Sequence, residues 1–280
     1  MPARPPAKKP PPEDETAAAL RTIDACLVPP PPNRFFRRIE QKSAGLPALL
    51  DELASSDPER QLDAIEALEQ IGDPAAVPPL RLLVDDPTPA VRAEAAVALL
   101  RLGDETLHAA LRASLQTGDR NQLIGAAIVL GRSADCSAVD DLMEALEYDD
   151  DEVVSAVAWA LGRIGDERAV LPLAKTVDAG TAPANVCEAL GRIGSPRALR
   201  ALLQALRSSH TDVRAYAARA LGRLRHEKDS ETRAVIRPAL RPLLDDRSQL
   251  VRVCAAVALY ALNDPLARAA LAKELGGAAP

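Results

Sequence analysis

Residues Asp151 to Leu173 read DEVVSAVAWALGRIGDERAVLPL, and this stretch decides the fold. Val153, Val157, Leu161 and Ile164 recur at the spacing that gathers side chains on one side of an α-helix. Gly162-Arg163-Ile164-Gly165 closes the run, and Asp166 opens a second, shorter apolar helix from Ala169 onward. Two helices joined in this way make a hairpin whose apolar faces need identical neighbours to bury them.

The neighbours are present. The Ala-Leu or Val-Leu context of Leu161 recurs at Leu68, Leu99, Leu130, Leu161, Leu190, Leu221 and Leu259, in steps of 31, 31, 31, 29, 31 and 38 residues. A period held over seven copies is the signature of a solenoid, in which each unit touches mainly the next. Five residues after the anchors stand Asp73, Asp104, Asp135, Asp166, Ser195, His226 and Asp264, mostly residues that cap a helix N-terminus. One position earlier, Gly72, Gly103, Gly165 and Gly194 suit the left-handed stop of the preceding helix.

Composition agrees. Aromatic residues make up 2% of the 280-residue chain, too few for a sandwich or barrel core and suited to helices packed through Ala, Leu and Val. The net charge of -6 argues against wrapping bulk nucleic acid by charge alone. Cys26, Cys136, Cys187 and Cys254 stand far apart with no Cys-x-x-Cys pair, which reads as buried thiols rather than a metal or redox site.

Along the chain, residues 1–33 form a Pro-rich tail, expected to be disordered, with a short helical segment near Thr16 to Val28 and no apolar core of a signal peptide. Residues 34–45, with Phe35, Phe36 and three Arg, are expected to cap the open end of the first repeat. Residues 46–275 hold seven helix pairs and a closing helix, and residues 276–280 are a flexible end. Pro183 falls near the start of the shortened fifth second helix, where it is tolerated. Seven extra residues around Arg225 to Glu231 predict an exposed loop. No stretch approaches 18 uninterrupted apolar residues, so no membrane span and a cytoplasmic location are expected. The fold class is all-α, a right-handed α-solenoid.

Val213-Arg214 with Ala220-Leu221-Gly222-Arg223 resembles HEAT repeats, and the Gly-Arg-Ile-Gly-Asp turn is similar to the phycobilisome-lyase-type HEAT-like subgroup. The resemblance implies second helices that line the concave face, with an Asp before each and an Arg within it forming an internal ladder. Asp86 with Arg92, Asp212 with Arg214 and Asp246 with Arg252 fit it; Gln61, Leu123, Val154 and Pro183 at the Arg position interrupt it. It also implies a range of functions: scaffolds, bilin lyase-like clamps for chromophore and apoprotein, hydroxylases and DNA-repair glycosylases.

The residues favour a non-enzymatic scaffold and no cofactor. A di-iron hydroxylase needs several His-Glu pairs, and only His226-Glu227 is one. No Gly-x-Ser-x-Gly elbow occurs, nor any Ser or Cys at a readable spacing from His and an acid. One Trp and three Tyr are few for a base-flipping surface.

A binding site is expected on the second helices. Two residues before each anchor, about 160° around the helix from it, stand Glu66, Val97, Ile128, Trp159, Glu188, Arg219 and Val257. Val97, Ile128 and Trp159 then make the apolar floor of a groove. Two residues after the anchors runs a row of Arg101, Arg132, Arg163, Arg192 and Arg223, with Gln70 and Ala261 at its ends. These arginines are expected either to bridge to acids of the adjacent repeat or to grip an extended or helical, acidic segment of another protein.

Overall fold

The computed structural model describes residues 45–116, 119–178, 183–224 and 230–274. The tail, all but the last residue of the capping segment, the chain's end, Cys26, and the His226-Glu227 pair lie outside them. Among the described residues every regular element is helical, and the chain divides into two compact units that meet in sequence at Ala138 and Val139. That boundary falls between two hairpins.

In the first unit run α1 (Leu46–Leu53), α2 (Pro58–Ile71), α3 (Val77–Leu82), α4 (Pro89–Arg101), α5 (Glu105–Gln116) and α6 (Arg120–Ser133). The second unit contains α7 (Val139–Ala145), α8 (Asp151–Ile164), α9 (Val170–Asp178), α10 (Ala184–Ile193), α11 (Leu199–Ala205), α12 (Thr211–Arg223), α13 (Ser230–Leu240), α14 (Gln249–Ala261) and the closing α15 (Ala267–Glu274). The even-numbered helices are the second members of the hairpins. Within the first unit α2, α4 and α6 pack side by side, and within the second so do α8, α10, α12, α14 and finally α15.

The periodic leucines build these layers. Leu68, Leu99, Leu130, Leu161, Leu190, Leu221 and Leu259 are all at most 1% exposed, and burying a leucine contributes roughly 1.5–3 kcal/mol. Hairpin ends are set by the residues read from the sequence. Asp73, Asp104, Asp135, Asp166 and Asp264 each accept a hydrogen bond from the backbone N–H two residues on. Ser195 makes no such cap. Gly72, Gly103, Gly165 and Gly194 turn the chain at φ of 72, 80, 79 and 70°. Ala134 and Asn263 stand at the same point of their repeats and take the left-handed conformation as well, at φ 57 and 56°. Pro183 is the N-cap of α10, where its missing N–H costs no helical bond.

Small residues decide how closely second helices approach in the second unit. A Cβ on Gly162 would lie 2.7 Å from the Cα of Ala189, one on Gly191 2.7 Å from that of Ala220, and one on Gly222 2.9 Å from that of Ala258. The glycine just after one anchor therefore meets the alanine just before the next, and helices touch backbone to backbone.

Of the cysteines, Cys187 is buried, its thiol pushed up to about 12 by that burial. The expectation of buried thiols fails for two others. Cys136 is exposed because it opens the 3-10 turn Cys136–Ala138 between two hairpins, and Cys254 is half-buried on α14.

Candidate partner-binding site

Most of the arginine row is engaged by acids of the preceding repeat. On the first unit, Arg101 on α4 pairs with Glu69 on α2 and donates to the Arg132 carbonyl at 2.9 Å. Arg132 on α6 reaches back to Glu94 on α4 at 2.6 Å. In the second unit, Arg223 on α12 donates to Glu188 on α10 at 2.8 Å, and Arg219 bonds the other oxygen of that carboxylate at 2.5 Å. Arg192 adds a longer bond of 3.3 Å to Glu188 within its own helix. Burial pushes the Glu188 carboxyl up, but the hydrogen bonds from Arg223 and Arg219 outweigh this and hold it below the ordinary glutamate range.

Arg163 differs. Among the described residues of its own unit no carboxylate pairs with it, and its guanidinium lies over the Trp159 ring, 5.5 Å from the centroid, a cation–π pair one turn apart on α8. Trp159 is half-buried. The same stacking recurs on α12, where Arg219 sits 4.5 Å over the Tyr216 ring. Among the described residues, Arg219 Nε is buried without a hydrogen-bond partner.

The expected apolar floor is corrected at Val97. That side chain is 3% exposed and offers no surface. It lies within a turn of Glu94 and Arg101, whose ion pairs run to α6 and α2, and those two helices pack on either side of α4, leaving a side chain as short as valine below the surface. Ile128, on α6, is half-buried. Val257, at the same position on α14, is 46% exposed.

An acidic cleft of about 540 Å³ was not anticipated. In the first unit Leu62, Ile65, Glu66, Glu69, Gln70, Glu94 and Arg101 line it. The signal was the pair of acids at Glu66 and Glu69, on the exposed side of the first second helix.

The ladder on the second helices also connects differently from the expectation. Arg214 donates through Nε and Nη2 to Asp246 of the next repeat, at 2.9 and 3.0 Å, and through Nη1 to the carbonyls of Ser208 and Ser209. Asp212, its expected partner, is exposed. Arg252 likewise bonds the Asp246 carbonyl and the carboxylate of Glu274 on α15, and Arg92 bonds the Asp86 carbonyl. Even Gln61 reaches Asp86 of the next repeat at 3.3 Å. Leu123 and Val154 are buried at this position, so the ladder is broken in the middle as the sequence indicates.

The sequence matches the HEAT-repeat family over residues 46–129, 119–184, 178–232 and 199–277. The chain is a HEAT-repeat protein. No curated protein matches it. Among solved structures, this HEAT-repeat chain is similar to an engineered protein at 21% identity, covering 78% of this chain and 98% of that one with a TM-score of 0.47. It is similar also to human deoxyhypusine hydroxylase in complex with glycerol, at 21% identity over 77% of this chain and 97% of that one, TM-score 0.38. A designed armadillo repeat protein in complex with the peptide (KR)4 aligns at 19% identity over 79% of this chain and 100% of that one, TM-score 0.37.

The HEAT hairpins bring together one constellation that the sequence did not show. His108 Nε2 lies 2.8 Å from Ser137 Oγ and 2.8 Å from Asp135 Oδ2, and Ser137 Oγ donates to Asp135 Oδ1 at 2.6 Å. A nucleophile triad needs the acid on one imidazole nitrogen and the hydroxyl on the other. Here both meet Nε2, and the hydroxyl proton already points to the carboxylate. The arrangement pins α5 to the turn that follows α6 and has no free base to activate the serine. Among the described residues, no group of three or more His, Cys, Asp or Glu is placed to hold a metal, and no helix is long and apolar enough to cross a membrane.

Proposed function

We propose that this HEAT-repeat protein is a non-enzymatic scaffold that holds a segment of a partner protein on the second helices of its Val139–Pro280 unit. The observation that carries this reading is Trp159, the one Trp of the chain, held half-exposed beneath the guanidinium of Arg163. An aromatic ring kept at the surface and braced by an arginine is the composition of an interface hot spot. Arg192 and Arg223, on the next two second helices, are 40% and 45% exposed and extend the face. Arg101 and Arg132 contribute as inter-repeat bridges.

The test is capture of partners from native lysate by wild-type protein and by Trp159→Ala. Recovery of specific partners is expected to fall by the equivalent of about 2 kcal/mol, while helicity and melting stay nearly unchanged. Equal recovery of every partner, or a large loss of stability, would place Trp159 in the core and end this reading.

A further inference from the structure

The second unit gathers positive charge at one place although the chain as a whole carries -6. On α8, α10 and α12, at the positions two residues before and two after each anchor, stand Arg163, Arg192, Arg219 and Arg223 against the single carboxylate of Glu188. Three of these guanidinium groups bond that one carboxylate, and Arg163 stands on the neighbouring helix over Trp159, so these positions carry four positive charges against one negative. Glu188 uses one donor from each of Arg192, Arg219 and Arg223, and a guanidinium carries five. Arg163 lies over the Trp159 ring and Arg219 over the Tyr216 ring, contacts that limit how far the two guanidinium groups can swing.

We propose that this cradle binds an acidic, extended peptide segment, and that Glu188 is the intramolecular stand-in for one of its carboxylates, competing with the partner for the same arginines. The inference rests on the scaffold reading above and names the partner's chemistry. Its length follows from the packing. Helices in contact lie roughly 8–10 Å apart, so the two steps from α8 to α12 cover about 18 Å, which a chain rising about 3.3 Å per residue spans in about six residues. A peptide suits the site better than a nucleic acid strand, because a carboxylate at the centre of the cradle repels a continuous phosphate backbone and a peptide places its charges singly.

The experiment uses fluorescein-labelled nonaglutamate, nonalysine and a nine-nucleotide oligothymidine, read by anisotropy and by Trp159 emission on the full chain. Nonaglutamate is expected to bind and to weaken at least tenfold when salt is raised from low to about half-molar, where screening shortens to a few ångströms. Glu188→Gln is expected to tighten it at least threefold, whereas Glu167→Gln, the same charge change at an exposed site of the same unit, leaves it unchanged. Arg192→Gln with Arg223→Gln is expected to weaken it at least tenfold with helicity retained. Binding that is unaffected or weakened by Glu188→Gln, equal tightening by Glu167→Gln, equal binding of nonalysine, or preference for the oligothymidine would each overturn the proposal. If nonaglutamate fails to bind while Trp159→Ala still loses partners from lysate, the acidic-ligand inference falls and the scaffold reading stands. If nonaglutamate binds in the Glu188-dependent way while Trp159→Ala captures every partner, the cradle stands and the Trp-centred groove falls.

Discussion

Gly191 and Ala220 stand so close that a methyl group on the glycine would lie 2.7 Å from the alanine's Cα. The obstructing atoms belong to the backbone and Cβ of the next helix, so relief requires moving α12 as a body rather than turning a side chain. Gly191→Ala gains up to about 1 kcal/mol of helix propensity, and the overpacking it introduces costs about 1–3 kcal/mol. The expected outcome is a net loss of stability, seen as a lower urea midpoint. An unchanged or higher midpoint would mean that the second helices do not approach as closely as described.

Ala134 should respond in the opposite sense. It holds the left-handed hairpin stop at φ 57°, a conformation that costs an L-residue roughly 1–2 kcal/mol relative to glycine. Part of the gain is offset by the freer unfolded chain of glycine. Ala134→Gly is therefore expected to stabilise by about 0.5–1 kcal/mol. Gly165→Ala, at φ 79° with nothing within 4 Å of the new methyl, is expected to destabilise by about 1 kcal/mol through backbone strain alone. Paired urea titrations of the two variants decide the matter, and shifts of the same sign would refute it.

Arg214 and Asp246 form a bidentate pair whose side chains are 8% and 11% exposed. Removing one member leaves the other charge buried without compensation. Arg214→Ala is expected to cost about 3 kcal/mol, far more than the loss of an exposed pair such as Lys175 with Glu147, whose side chains are 82% and 81% exposed. Similar losses for Arg214→Ala and Lys175→Ala in equilibrium unfolding would show that the ladder carries no special weight.

Acid should loosen the repeat junctions. Burial pushes the Asp104 carboxyl up, and the hydrogen bonds from Arg81 and from the Leu107 and Thr106 amides outweigh it. The guanidinium of Arg214 holds Asp246 down. At Asp264 burial again acts upward and is outweighed by the Leu266 amide and Arg241. All three therefore sit below the ordinary aspartate value of about 3.9. A carboxyl depressed in the folded state binds fewer protons than in the unfolded chain, so its stabilisation is present above that ordinary value and is lost as pH falls through the folded-state value. Stability from these groups should be level from neutral pH down to about pH 5 and decline below about pH 4. Asp104→Asn should flatten that decline; an unchanged acid slope in the variant would remove Asp104 from the account.

What the sequence determined by itself is everything that acts over a few residues. The apolar spacing within each helix, the aspartate caps and the glycine stops each join groups at most five positions apart, so their geometry follows from helix pitch and turn chemistry, and the leucine period repeats that local unit seven times. The seven hairpins and their closing helix were legible for that reason. What only the tertiary structure decided is which of two residues on one helix face meets a neighbour. Arg214 passes over nearby Asp212 to bond Asp246, 32 residues away, and Arg132 finds Glu94, 38 residues back. Val97 and Trp159 hold the same position in their repeats, yet one is covered and the other half-exposed. Ser137 and His108 meet only because the turn after α6 lies against α5. Each of these turns on how far one helix slides and rotates against the next, a quantity set by the summed packing of small side chains such as Gly191 on Ala220 and carried by no local run of sequence.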